Sequence, residues 1–141
     1  MRTMHKNLAA VTLIAFIAFC FCGCTSKADV NIDRMASSLT KLSAIANRCA
    51  KKPDYSWLGD GEFLKQCETY QPGILDEFRG QTLRVSRSGG YAVVLVCDGG
   101  GSHALLEDAG CTAPLDINYG AASSKPCGFT INARELCSSS R

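Results

Sequence analysis

The chain has 141 residues, nine cysteines and a formal net charge of +2. Arg2 and Lys6 account for that excess: beyond them the chain balances at 13 basic and 13 acidic residues. A neutral domain whose one basic pair, Lys51-Lys52, reads as a solvated turn has no electrostatic footprint for nucleic acid. Its length suits one domain around one core.

Met1 to Asn7 is polar, with Arg2, His5 and Lys6, and Leu8 to Phe21 is apolar almost throughout. A basic end followed by such a run is the pattern of a secretory signal peptide. The run falls short of the roughly 20 apolar residues that cross a hydrocarbon core, and nothing later is as apolar. Phe21-Cys22-Gly23-Cys24 resembles the lipobox of bacterial lipoproteins. The resemblance implies cleavage before Cys24, diacylglycerol on its thiol, and fatty acylation such as palmitate. Thr25, rather than Asp, follows the cysteine, which in that family implies sorting to the outer membrane. Gly23 and Cys24 match the pattern; Phe21 stands where an aliphatic residue is usual, and Cys22 is not the most usual small residue. The rival is Ser26-Lys27-Ala28, a small-x-small site that would release a soluble periplasmic or secreted domain beginning at Asp29. On the first reading 1–23 is signal peptide, 24–30 a tether and 31–141 a single disulfide-rich domain.

Under either cleavage the same six cysteines remain beyond the signal and the lipidation site: Cys49, Cys67, Cys97, Cys111, Cys127 and Cys137. Six in an exported chain read as three disulfides. Structural zinc uses close pairs such as C-x2-C, whereas the nearest two of these six are Cys127 and Cys137. No metal or cofactor is implied.

In the first third, Ile32, Met35, Leu39, Leu42, Ile45 and Cys49 recur at helical spacing. They predict an amphipathic helix capped at Asn31 or Asp29, with Asp33 in its first turn, and ended by Pro53. A second helix is predicted over about Asp60 to Tyr70, capped by Asp60, with Phe63, Leu64, Cys67 and Tyr70 on one face; Pro72-Gly73 ends it. Cys49 and Cys67 would meet in a bridge if the two helices are antiparallel neighbours.

The period then changes to two. Gln81–Ser88, Tyr91–Cys97 and His103–Asp108 read as strands, joined by Gly89-Gly90 and by Asp98-Gly99-Gly100-Gly101-Ser102. The first turn pairs Ser88 with Tyr91, Val85 with Val94 and Leu83 with Val96. A five-residue second loop would pair Cys97 with His103, Val96 with Ala104 and Val94 with Leu106. One face then carries Leu83, Val85, Val94, Val96, Ala104 and Leu106, for the helices to cover. The other carries Thr82, Arg84, Ser86, Val93, Leu95, Cys97, His103, Leu105 and Glu107. On this mixed face Arg84, Leu95, Leu105 and Glu107 resemble the core and rim of an interface; the alternative is that the C-terminal tail covers them. A slip of one residue would exchange the faces.

In this register Cys111 lies up to ~26 Å along the strand from the residue opposite Cys97, against a limit of ~7 Å between bridged Cα atoms. Cys97 and Cys111 are therefore each expected to pair with one of Cys127 and Cys137, in an order left open. Thr112 to Pro126 reads as loop, Phe129 and Ile131 as a fourth short strand, and Ala133 to Cys137 as a closing turn. The expected class is α+β: two N-terminal helices on a three-stranded antiparallel meander, with a disulfide-tied tail.

Catalytic signals are sparse. Asp98, Ser102 and His103 are triad residue types, but they are neighbours in a glycine-rich turn. Gly99-Gly100-Gly101 lacks the Lys and following helix of a phosphate loop. Glu107-Asp108 and Asp76-Glu77 read as solvated or capping carboxylates; adjacent strand residues face opposite ways, so Glu107 and Asp108 cannot work as a pair. Ala104 to Thr112, with Pro126-Cys127-Gly128-Phe129-Thr130 and Cys137, resembles a pattern in small Cys-rich proteobacterial secreted proteins, which implies no activity. The expectation is a non-enzymatic envelope lipoprotein. Its partners would be the membrane, through its anchor, and another envelope protein that it serves as accessory or inhibitor. A small hydrolase is the alternative from another class.

Overall fold

The apolar stripe from Ile32 to Cys49 forms the helix on which the rest of the chain is built. The computed structural model describes residues 27–111, 117–118 and 125–139. Helix α1 spans Lys27–Cys49. It begins earlier than expected and takes in 27–30 of the presumed tether, so Asp29 and Asn31 lie inside the helix and do not cap it. Met35, Leu39, Leu42, Ala46 and Cys49 are buried on one side. Among the described residues no helix is long and apolar enough to cross a membrane.

A 3-10 turn, Pro53–Tyr55, follows Lys52 and stops the helix, as the proline predicts. Helix α2 is Asp60–Glu68, shorter than expected. Gly59, not Asp60, is its N-cap. The Asp60 carboxylate instead accepts a hydrogen bond from the Val85 amide at 3.1 Å, which ties α2 to the sheet. Phe63, Leu64 and Cys67 are buried, but Tyr70 lies beyond the helix and is exposed. A second 3-10 turn, Ile74–Phe78, adds Ile74 and Phe78 to the core. Each such side chain contributes about 2 kcal/mol on leaving water.

The sheet contains β1 (Thr82–Ser88), β2 (Tyr91–Cys97), β3 (Ala104–Ala109) and β4 (Ile117–Asn118), in that spatial order. The β1–β2 register is the one expected, from Ser88↔Tyr91 to Leu83↔Val96. Gly89 and Gly90 both have positive φ, as a two-residue type I′ turn requires. The β2–β3 register is two residues away from expectation: Val94 faces Asp108 and Val96 faces Leu106. Two local causes add up. The Asp98 amide bonds the His103 carbonyl at 2.9 Å, so the loop is one residue tighter. A bulge then leaves Leu105 as an extra residue on β3, because Cys97 faces Ala104 while Val96 faces Leu106.

A shift of two preserves the faces of Val94, Val96 and Leu106. It exchanges Ala104, now beside Leu95 and Cys97, with Leu105, now packed against the helix-side core. Asp108 and Glu107 are both fully buried, on opposite faces, and neither is a solvated carboxylate. Asp108 hydrogen-bonds the hydroxyl of Ser43 on α1. Gly110 lets the helix sit this close: a Cβ there would stand 1.9 Å from the Ser43 carbonyl oxygen.

The fourth strand is Ile117–Asn118, inside the stretch expected to be loop, and it pairs with Leu106 and Glu107. Phe129 and Ile131 form no strand; they pack on the sheet side away from α1. The closing turn is a short helix, α3 (Ala133–Ser138), capped by Asn132, whose Oδ1 accepts from the Arg134 and Glu135 amides. The architecture is mixed helix and antiparallel sheet, with helices on one face and the tail on the other.

Candidate functional site

The expected interaction face is not available as a surface. Leu95 and Glu107 are fully buried under the tail, and Leu105 lies on the opposite, helix-side core. Arg84 stays exposed, but its guanidinium donates to the Cys127 carbonyl at 2.8 Å and rests over the Phe129 ring. The tail is held there by two kinds of bond. Cys97–Cys127 and Cys111–Cys137 are disulfides with Cα separations of 5.7 and 5.5 Å, which places both pairings across the tail as the strand geometry requires. Between them, Glu107 Oε1 accepts from the Thr130 and Ile131 amides at 2.9 Å, and Oε2 accepts from the Thr130 hydroxyl at 2.6 Å. A buried carboxylate is stable there because these donors replace its water.

The turn with triad residue types is structural in its bonding. Asp98 accepts from the Ser102 amide at 2.7 Å and meets His103 Nδ1 at 2.9 Å. The His103 contact, foremost, holds the Asp98 carboxyl below its ordinary value. No hydrogen bond joins the Ser102 hydroxyl to the imidazole, so these three do not form a nucleophile–base–orienter chain.

The expected bridge between Cys49 and Cys67 is not formed in this structure: both are free thiols, fully buried in one core. Burial, first of all, pushes both thiols above their ordinary values. Their surroundings show how closely the helix ends meet. Arg48 and Lys52, which flank Cys49, both lie over the ring of Tyr70, at 5.7 and 4.9 Å. Cys24 lies outside the described residues.

No protein-family model, curated protein or solved structure matches this chain. Just past the thiol pair, the chain from Lys52 to Leu58 wraps over the end of β1. Arg87 fastens it: the guanidinium donates to the Tyr55 carbonyl at 2.7 Å and the Leu58 carbonyl at 2.5 Å, and stacks 4.6 Å from the Phe63 ring centre. Between this wrap and the Gly89-Gly90 hairpin lies a cleft of about 190 Å³, floored by Phe63 and bordered by Lys52, Tyr55 and Arg87. Lys52 also lies 5.2 Å over the Tyr55 ring. Its ammonium is held above its ordinary value, chiefly by the neighbouring Tyr70 side chain. Trp57, next in sequence to Ser56 of the cleft's border, is 77% exposed, and Tyr70, under Lys52, is 40% exposed.

Reading Lys51-Lys52 as a bare solvated turn overlooked this cluster. The signal was present in Tyr55-Ser56-Trp57, aromatic residues following a basic pair directly after a helix end.

Proposed function

We propose that this chain is an exported bacterial envelope protein, anchored in the outer membrane through acyl groups on Cys24, that works without catalysis by binding another envelope protein. The observation that carries the export reading is the pair of disulfides across the tail, a covalent framework that persists in oxidising compartments. Cys49 and Cys67, free thiols buried in the same core, would complete it as a third bridge. A binding role fits a molecule whose conspicuous exterior feature is an aromatic and cationic cluster.

Cys24→Ser should abolish palmitate labelling and leave the precursor unprocessed. Normal processing of that variant to a soluble periplasmic form would instead show that the Ala28 site is used.

A further inference from the structure

Four cations, Arg48, Lys51, Lys52 and Arg87, gather at the end of α1. Among the described residues no carboxylate forms an ion pair with any of them. Two are held over tyrosine rings and one is fixed by two carbonyls, so most of this charge is positioned in advance. Positioned charge loses less entropy when it binds. The adjoining cleft, about 190 Å³, is smaller than the several hundred Å³ of small-molecule sites. It has room for one side chain. Trp57, the chain's sole tryptophan, is exposed and follows Ser56 of the cleft's border, and tryptophan is enriched among residues that dominate protein interfaces.

Position along α1 separates this surface from the anchor. The helix carries it about 33 Å from Lys27, at 1.5 Å per residue. The three residues from Cys24 to Lys27 reach at most about 11 Å. We infer that the surface of Arg48, Lys52, Tyr55, Trp57 and Tyr70 takes an acidic segment of a partner protein, with one side chain of that segment entering the cleft. The inference rests on the binding reading above and adds where the partner sits and what it presents.

Trp57 reports the test directly. The lipidated protein, reconstituted in phosphatidylcholine vesicles, is titrated with a decapeptide of Asp and Glu around a central Phe. The expected result is a saturable shift in tryptophan emission that weakens as salt screens the charges. Lys51→Glu with Lys52→Glu should weaken binding about tenfold. The same peptide with Asn and Gln should bind more weakly by about the same factor. Equal response to the neutral peptide overturns the inference. So does an emission shift caused only by phosphatidylglycerol vesicles, which would mark a membrane-facing surface, or no shift with any probe. Photoreactive residues at positions 57 and 33 in cells separate this failure from that of the broader reading. Capture of an envelope protein from 33 but not 57 sinks this surface alone, and capture from neither sinks both. Capture from 57 supports the inference only if the paired Glu substitutions abolish it.

Discussion

Replacing Cys49 and Cys67 with alanine, singly and together, separates a bridge from two packed thiols. A bridge between them closes a loop of about 19 residues and contributes ~3 kcal/mol by restricting the unfolded chain. Removing a fully buried sulfur costs about 1 kcal/mol more at each site. With the bridge formed, either single change removes all of it, so each single variant should lose about 4 kcal/mol and the double variant only about 5. Independent thiols would lose about 1 kcal/mol each and about 2 together. Urea unfolding at constant m-value reads the difference. Mass after denaturation gives a second readout: relative to the fully reduced chain, three bridges remove six hydrogens and two remove four. Additive losses with four hydrogens missing would refute the third bridge.

The pH dependence has a definite sign. Burial raises both thiols in the folded dithiol form. That form is therefore fully stable below the ordinary thiol pKa of about 8.5 and loses stability as pH rises beyond it, because the unfolded chain releases protons the folded one keeps. The bridged form has no such loss.

Two further changes probe the two faces of the sheet. Glu107→Gln keeps an acceptor for the Thr130 and Ile131 amides but removes the charge that strengthens these bonds, and should cost about 1–2 kcal/mol. Faster hydrogen exchange at those two amides is the expected signature, and unchanged protection would mean the tail is held by its disulfides alone. Gly110→Ala places a methyl 1.9 Å from the Ser43 carbonyl oxygen, so α1 must retreat from β3, at an expected cost of about 3 kcal/mol. A melting temperature unchanged from the parent would contradict the close seating of the helix.

Local periodicity made some of this legible. The stripe from Ile32 to Cys49 gave α1 its face, and the Gly89-Gly90 turn fixed the β1–β2 register because a two-residue turn leaves only one pairing. Strand length sent Cys97 and Cys111 to the tail instead of to each other. Other features arise from contacts distant in sequence. The Asp98 cap tightens its loop by one residue, and the Leu105 bulge restores the core face, so two irregularities conceal one another in a pattern of alternating residues. Glu107 looked solvated because its donors, Thr130 and Ile131, lie 23 and 24 residues away. The aromatic wrap at Tyr55 to Trp57 depends on Arg87, a strand residue from elsewhere in the chain.

The same contacts limit how a partner can approach. Both faces of the sheet are covered, by α1 and α2 on one side and the tail on the other. Strand addition would need a free edge. On β1 the Val85 amide is bonded to Asp60, and Arg87 binds the wrap that crosses the strand's end. On β3 the outer side pairs with β4, and just ahead of the strand His103 bridges to Pro126. Under the proposed binding role, recognition at the β1 edge would fall to side chains rather than backbone. The wrap that blocks the β1 edge also carries the exposed Trp57 and holds Lys52 over Tyr55, so one segment covers that edge and presents the most exposed aromatic residue among those described. Arg87 joins these two roles. Arg87→Lys keeps a positive charge but cannot bridge two carbonyls in fixed geometry, and it should loosen the wrap and the Trp57 surface together while α1 and the disulfides stay intact.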